Sequence, residues 1–284
     1  MTCVSPKTIR QGSYGDTITV PCGKCMSCRI QRTNEWTTRL ENEMNYHKDS
    51  CFITLTYDDD HLPGGMPGTL EPKHAQDFIK RLRFYIKQKI KYYLVGEYGE
   101  NTQRPHYHMI IFGWKPELNE GVFIGGQFSS NLVLKCWSYG FNSVGSATHD
   151  SIQYVVGYIR KKLNGEKAFQ TYGFRNRPFM RCSQGLGLRY ALDHRKEIKE
   201  ELKVTVKGKN RGLPRYYVKK LFLDTPPKLK LRSAEFWADL MEETQEYTPE
   251  RRKEVYLMNL KQGETNHAAI LHLRQNSGRR GAGF

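Results

Sequence analysis

The segment Arg104–Phe112 places two histidines inside a mostly apolar run, and it constrains the fold more than any other part of the chain. Its pattern predicts a β-strand over 106–113, and side chains two residues apart on a strand point to the same face. His106 and His108 therefore share a face with apolar side chains and lie near the edge of that apolar stripe. The sequence predicts that this histidine pair is held on a rigid sheet.

A second segment carries two tyrosines and two lysines at helical spacing. At 3.6 residues per turn, Tyr154, Tyr158 and Lys161 fall on one face of a helix. The apolar residues of this segment fall on a different face: Ile152, Val155, Val156, Ile159 and Leu163. A tyrosine that only packs in a core would share the apolar face, so the pair is interpreted as functional. The adjacent Lys161 and Lys162 favour contact with phosphate, and the choice between the two lysines stays open.

Hydrophobic periodicity predicts the remaining elements. Apolar residues at helical spacing predict helices over 29–47, 72–91 and 131–137, and the tyrosine helix is predicted to begin at an N-cap formed by Asp150 or Ser151. Alternating segments predict strands over 52–57, 92–98 and 140–145. The order strand, helix, hairpin, helix, strand, helix predicts an α+β fold with a central antiparallel sheet flanked by helices.

The charge balance narrows the class of partner. Lysine and arginine number 45 against 29 acidic residues in a chain of 284, which gives a net charge of +16. This excess favours a polyanionic partner such as nucleic acid, although charge alone also fits an anionic membrane or a merely soluble basic surface. No apolar run approaches the ~18–20 residues of a spanning helix, and the first residues resemble no signal peptide. The expected compartment is therefore the cytoplasm.

Four of the seven cysteines form a candidate metal site. Cys22, Cys25 and Cys28 are closely spaced, and Cys3 lies upstream to supply a fourth thiolate. In a reducing compartment this spacing favours a metal over a disulfide, and it matches a zinc knuckle. A structural Zn²⁺ is predicted, with an iron–sulfur cluster or free thiols around a turn as the alternatives. The other cysteines lie among apolar neighbours and are predicted to be core residues: Cys51, Cys136 and Cys182.

The histidine pair predicts a second, catalytic metal site. Two imidazoles need an oxygen ligand to complete such a site, and Glu97 on the neighbouring strand is well placed to supply it. Glu100, in the connection between the two strands, is the alternative. Two imidazoles, one carboxylate and open coordination positions are typical of a catalytic rather than a structural ion. Histidines with purely structural hydrogen bonds are the competing interpretation.

Taken together, these motifs resemble a known superfamily. The strand Phe52–Tyr57, the sequence Pro105–His108 and the Tyr154-x3-Tyr158-x2-Lys161 spacing are similar to the HUH endonuclease superfamily of rolling-circle replication initiators, in its two-tyrosine subgroup. A closer resemblance is to the replication initiators of microviruses, especially the gokushovirus-like branch. It is carried by Cys3, Cys22–Cys25, Gly96–Gly99 and Gly212–Tyr217, and the match spans about residues 1–221.

The resemblance implies an HUH endonuclease with an RRM-like core and a defined reaction. Mg²⁺ or Mn²⁺ would be held by the histidine pair and Glu97. Tyr154 and Tyr158 would alternate in attacking DNA through a 5′-phosphotyrosine, while Lys161 steadies the phosphate or the phenolate. The implied substrate is single-stranded and supercoiled phage DNA at the replication origin. Host helicase and polymerase are the implied partners, with no membrane contact, and the host bacterial cytoplasm is the implied compartment.

Three regions are expected along the chain. They are a cysteine-rich N-terminal segment over 1–30, the HUH endonuclease domain over 31–221, and a charged helix with a flexible basic tail over 222–284. Two other functional classes stay open. A non-enzymatic nucleic-acid-binding protein would explain the charge and the aromatic residues but not the paired imidazoles. An HUH transposase or plasmid relaxase would share the metal site and differ in its partners.

Overall fold

The computed structural model describes Cys3 and residues 6–10, 17–161, 163 and 165–222. These residues form two compact units, one that runs to Arg32 and includes Phe222, and a larger one that spans Thr33–Leu221. The strands are β1 (Lys7–Arg10), β2 (Thr17–Val20), β3 (Ser50–Tyr57), β4 (Lys91–Tyr98), β5 (Pro105–Phe112), β6 (Gly121–Ile124), β7 (Gln127–Ser130), β8 (Gly140–Ser146), β9 (Phe179–Cys182), β10 (Lys203–Val206) and β11 (Lys209–Gly212). The helices are α1 (Met26–Met44), α2 (Pro72–Ile86), α3 (Asn131–Cys136), α4 (His149–Lys161), α5 (Gly165–Tyr172), α6 (Leu188–Asp193), α7 (Arg195–Glu201) and α8 (Arg215–Leu221).

A seven-stranded sheet forms the centre of the larger unit. Its strand order is β6-β7-β8-β3-β5-β4-β9, and every adjacent pair is antiparallel. The three longest strands, β3, β5 and β4, lie side by side, so β5 hydrogen-bonds along both of its edges. This confirms the predicted α+β class with a central antiparallel sheet flanked by helices.

Alternation along the strands separates two helix-covered faces of this sheet. On β3, every second residue from Cys51 to Tyr57 is buried against one face, which α2 and α3 cover. The opposite face packs beneath α1 and α4, and it includes Ile110 and Phe112 of β5. Because His106 and His108 alternate in phase with these two residues, the histidine pair belongs to the face that the tyrosine helix covers.

Helix α2 is shorter than predicted. The sequence predicts a helix over 72–91, whereas α2 ends at Ile86. Lys87 adopts a left-handed conformation with φ of 50°, and its N–H donates to the carbonyl oxygen of Arg83, which closes the last turn. Apolar spacing hides this stop, because Ile90 continues the stripe and is also buried, although it lies beyond the helix.

The tyrosine helix α4 begins with a capping box at a position different from the predicted one. Thr148 Oγ1 accepts a hydrogen bond from the N–H of Ser151 at 3.2 Å, and Ser151 Oγ accepts one from the N–H of Thr148 at 2.7 Å. This reciprocal pair makes Thr148 the N-cap and Ser151 its partner three residues later. The prediction of Asp150 or Ser151 as the N-cap is therefore wrong.

The residues after α4 complete the larger unit. Strand β9 extends the sheet beside β4, and polar side chains of α1 hold the following segment. The N–H of Gly187 donates to Glu43 Oε2 at 2.7 Å, and Asn42 Nδ2 donates to the hydroxyl of Tyr217 at 3.1 Å. Gly187 has φ of 73°, and a Cβ at this position would lie 2.8 Å from the carbonyl oxygen of Arg39. Only glycine fits there without strain.

Some sequence expectations fall beyond these elements. The charged helix expected over 234–260, the basic tail over 261–284, and Lys162 lie outside the described residues. The expected division into regions 1–30, 31–221 and 222–284 stays a prediction. Within the part of the chain that the structure describes, no helix combines the length and the apolar character needed to cross a membrane.

Candidate active site

Three potential metal ligands converge on the sheet face beneath α4. Glu97 of β4 is the direct antiparallel partner of His106 on β5. His108 lies two residues further along β5, so the three side chains share a face. Glu97 Oε1 lies 2.8 Å from His106 Nε2 and 3.2 Å from His108 Nε2. The structure thus brings together the three residues that the sequence predicts as ligands.

The other ring nitrogen of each histidine has its own partner. His106 Nδ1 donates to the carbonyl oxygen of Arg104 at 3.0 Å, because a carbonyl can only accept. His108 Nδ1 lies 2.9 Å from Thr54 Oγ1. In a neutral His106, the Nε2 lone pair therefore faces the Glu97 carboxylate. Two acceptors 2.8 Å apart repel each other unless a positive charge lies between them.

This arrangement fits a divalent cation. The three ligand atoms lie within 4.8 Å of one another. Ligands bound at about 2.1 Å and at right angles are separated by about 3.0 Å, and the observed separations from Glu97 Oε1 are 2.8 and 3.2 Å. Burial raises the pKa of Glu97, but hydrogen bonds from His106, His108 and Tyr158 outweigh it and lower this pKa to about 2. Burial lowers the pKa of His108, which favours the neutral imidazole that a metal requires.

Both tyrosines of α4 contact His108. The Tyr158 ring stacks on the imidazole with centroids 5.4 Å apart and an interplanar angle of 10°. The Tyr154 ring meets the imidazole edge-on at 5.2 Å, and the two phenol rings are 5.2 Å apart. Their surroundings differ, because Tyr154 retains 50% exposure, whereas Tyr158 is half-buried and donates a hydrogen bond to Glu97.

The predicted lysine lies next to the tyrosines. Lys161 Nζ is 5.0 Å from the centroid of the Tyr158 ring and 2.5 Å from Glu100 Oε1. Burial and the adjacent Glu97 carboxylate raise the pKa of Tyr158, and burial raises that of Tyr154. Both phenols are therefore protonated at neutral pH. Among the described residues, Glu100 is not part of the ligand cluster, because its carboxylate pairs with Lys161.

Two further side chains support the site, and the sequence alone did not identify them. Phe52 stacks on His108 at 5.7 Å and meets Tyr154 edge-on at 6.1 Å. Thr54, which binds the outer nitrogen of His108, is its direct partner in the register of β3 and β5. The strand over 52–57 was predicted, but its pairing with the histidine strand was not. That register is the signal that would have identified both residues.

The four predicted cysteine ligands also converge, in the smaller unit. The Sγ atoms of Cys22 and Cys28 lie 4.0 Å apart, and those of Cys3 and Cys25 lie 3.9 Å apart. All four Sγ atoms lie within 4.8 Å of one another. The N–H groups of Lys24 and Cys25 donate to Cys22 Sγ, and the N–H of Cys22 donates to Cys3 Sγ. The other three cysteines pack among core residues as predicted: Cys51, Cys136 and Cys182.

The stretch of chain that carries the tyrosine and histidine motifs matches a known family. The matching family model describes replication-associated proteins of the ORF2 type, and it covers residues 50–163, which run from β3 through the two tyrosines of α4. No solved structure matches the chain.

Curated relatives extend this similarity. The chain is 32% identical over 230 residues to the replication-associated protein ORF4 of Chlamydia phage 1, which covers 76% of this chain and 56% of that protein. It is 32% identical over 246 residues to the replication-associated protein ORF2 of Spiroplasma virus 4, which covers 82% and 74%. The chain thus spans little more than half the length of the first relative and about three quarters of the second. Since the second similarity extends over most of both proteins, this chain belongs to the family of phage replication-associated proteins.

Proposed function

We propose that this protein starts rolling-circle replication of a small phage genome by nicking and rejoining one strand at a specific origin sequence. The observation that carries the proposal is the contact of Tyr154 and Tyr158 with His108, which places two phenols beside a carboxylate and two imidazoles. Packing alone would not require a half-exposed tyrosine over a buried ionised cluster. Membership of a phage replication-associated family supports the same conclusion.

Glu97, His106 and His108 would hold Mn²⁺ or Mg²⁺, and this ion would polarise the scissile phosphate and neutralise its developing charge. Two imidazole ligands favour Mn²⁺, because Mg²⁺ prefers oxygen ligands. Thr54 and the carbonyl of Arg104 bind the outer nitrogens of the imidazoles. They therefore orient both Nε2 atoms toward the ion.

The nucleophile is a tyrosine hydroxyl that attacks phosphorus in line. The Oη–P bond forms, the P–O3′ bond breaks, and the proton of the phenol passes to the departing 3′ oxygen. The products are a 5′-phosphotyrosine and a free 3′-hydroxyl. Lys161, 5.0 Å from the Tyr158 ring, supplies positive charge to the phosphate or the phenolate. Host polymerase then extends the 3′-hydroxyl and host helicase opens the duplex, which places the reaction in the host bacterial cytoplasm.

A second tyrosine allows the new strand to be closed. After one round, the other phenol attacks the regenerated origin and releases a 3′-hydroxyl. That hydroxyl attacks the first phosphotyrosine, so a phosphodiester replaces a phosphotyrosine ester and no ATP is needed. The rings of Tyr154 and Tyr158 lie 5.2 Å apart, so one phosphate position can serve both nucleophiles.

The direct test of this function is a covalent adduct. We expect the full chain, incubated with supercoiled phage DNA that contains the origin and with Mn²⁺ or Mg²⁺, to nick the DNA and to remain linked to its 5′ end on a denaturing gel. The adduct should not form when the divalent ion is omitted. DNA binding with neither nick nor adduct would contradict the proposal and leave a non-enzymatic nucleic-acid-binding protein.

We also propose that the four-cysteine cluster holds a structural Zn²⁺. Four thiolates bound to zinc at about 2.3 Å in a tetrahedron are separated by about 3.8 Å, and the two measured separations are 3.9 and 4.0 Å. These two separations are opposite edges of one tetrahedron, because they share no cysteine. Backbone N–H groups that donate to Cys22 Sγ and Cys3 Sγ stabilise negative charge on sulfur.

Metal analysis of the purified chain should find about one zinc per molecule, retained when Mg²⁺ or Mn²⁺ is removed. Cys25→Ser should lose this zinc and lower the thermal stability, because zinc binding and local folding are coupled. Cys182→Ser is the matched control, since Cys182 lies outside the cluster, and it should retain the metal. Iron and inorganic sulfide in place of zinc would identify an iron–sulfur cluster, and absence of any metal would support free thiols.

A further inference from the structure

The segment Lys203–Lys220 concentrates positive charge at one place in the larger unit. Seven of its 18 residues are lysine or arginine outside the first and last turns of the count below, and none is aspartate or glutamate. The segment forms the hairpin of β10 and β11, here called the basic hairpin, followed by α8. Nothing in the nicking chemistry uses these residues, so their charge requires a separate explanation.

The basic hairpin presents its lysines at the tip. Lys207 and Gly208 form a two-residue turn with φ of 49° and 71°, which is the pattern of a type I′ turn. Val204 and Val206 are buried and anchor the hairpin on the larger unit. Lys207 and Lys209 are exposed. A non-glycine residue at positive φ is uncommon, and here it holds a lysine at the outermost position.

Helix α8 extends this basic surface. Tyr217 and Leu221 are buried on one side of the helix. Arg215 and Lys219 are exposed and lie four residues apart on the opposite side. Within the described residues, no carboxylate forms an ion pair with the exposed cations of the segment: Lys207, Lys209, Arg215, Lys219 and Lys220.

A buried carboxylate connects the base of the hairpin to the tyrosine helix. Glu41 of α1 is 2% exposed, and its Oε2 lies 2.8 Å from Arg211 Nη1 on β11. Its Oε1 contacts Nδ1 of His149, the first residue of α4. Removing one partner of a buried ion pair leaves an uncompensated charge, so the contact resists separation. A ligand bound to the hairpin is therefore held at a fixed distance from the two tyrosines.

We infer that the basic hairpin and α8 bind the phosphate backbone of duplex DNA beside the nicking site. The inference rests on the proposed function, which makes DNA the substrate. A two-stranded ribbon fits the DNA major groove, which is about 12 Å wide. Free cations at the tip and on α8 match the charge of the two phosphate strands. The duplex contact would hold the origin while a single-stranded stretch enters the tyrosine site.

An anionic membrane surface is the competing partner for such a cluster, and the hairpin lacks what a membrane contact needs. Membrane-surface elements combine basic residues with exposed apolar side chains that enter the lipid. The exposed tip, Lys207–Asn210, contains only lysine, glycine and asparagine. The two valines of β10 are buried against the protein instead. The charge pattern therefore favours DNA.

The test compares two double variants with the same sequence spacing. Lys207→Asn with Lys209→Gln removes both charges at the hairpin tip, and asparagine tolerates the positive φ of residue 207. Lys87→Asn with Lys89→Gln is the matched control, because Lys87 also has a positive φ of 50° and both lysines are exposed. These control lysines lie at the end of α2, on the opposite face of the sheet from α1 and α4. Thermal melting checks that both variants fold.

Fluorescence anisotropy without Mg²⁺ or Mn²⁺ measures duplex affinity while no strand is cut. The hairpin variant should bind an origin duplex about tenfold more weakly, and its salt slope should decrease by about 0.9 for each phosphate that the variant no longer neutralises. The control should match wild type. Equal affinity and slope in the two variants would overturn the inference, as would a hairpin variant that is impaired only in binding anionic vesicles. Adduct formation by the wild-type chain is scored separately, so failure of the nicking proposal is distinguishable.

Discussion

Replacement of His106 or His108 by alanine is expected to abolish cleavage of single-stranded origin DNA while DNA affinity stays within several-fold of wild type. Each variant removes one Nε2 ligand and leaves the Glu97 carboxylate with a single imidazole neighbour. Loss of charge stabilisation at the phosphate should lower the cleavage rate by more than roughly 100-fold. The measurement is adduct formed per unit time at saturating Mn²⁺, together with anisotropy for binding. Full cleavage by the double alanine variant would exclude a metal at this site.

The two glutamates near the histidine pair provide a matched comparison for the same prediction. Glu97→Gln keeps the side-chain shape but removes the charge between the imidazoles, so it should lose cleavage as the histidine variants do. Glu100→Gln changes an exposed carboxylate that contacts Lys161 instead. We expect Glu100→Gln to cleave within several-fold of wild type. The opposite result, an active Glu97→Gln and an inactive Glu100→Gln, would transfer the third ligand to Glu100.

The parts of the site that lie within one element, or across one hairpin, were predictable from sequence. His106 and His108 are two residues apart on a strand, and Tyr154 and Tyr158 are four apart on a helix, so their shared faces follow from backbone geometry alone. Glu97 was identifiable because a short connection joins β4 to β5 and brings it opposite the histidines.

Contacts between distant segments were not predictable in the same way. Phe52 and Thr54 reach His108 because β3 pairs with β5, and a single alternating strand does not reveal which neighbour it pairs with, or in which register. The early end of α2 depends on one lysine at positive φ. The basic hairpin did carry a local signal, because alternating valines precede the Lys207–Gly208 turn.

The two tyrosines are expected to share cleavage but to differ in strength. Tyr154→Phe and Tyr158→Phe should each still form an adduct, because the remaining phenol contacts the same imidazole. Tyr158→Phe should cause the larger decrease in the first cleavage, since the Tyr158 hydroxyl already lies at Glu97 whereas Tyr154 is half-exposed. Adduct yields with an origin oligonucleotide measure this difference. Tyr172→Phe is the control, because Tyr172 lines the adjoining cavity without contacting His108 and should cleave normally.

Closure of the circle separates alternation of the tyrosines from simple attack by one of them. Each single variant should accumulate phosphotyrosine and fail to release closed single-stranded circles, because no second nucleophile is left to cut the regenerated origin. The double variant Tyr154→Phe with Tyr158→Phe should form no adduct at all. Normal circle release by either single variant would show that one tyrosine is sufficient. An adduct formed by the double variant would place the nucleophile elsewhere in the chain, and peptide mapping of that adduct would identify it.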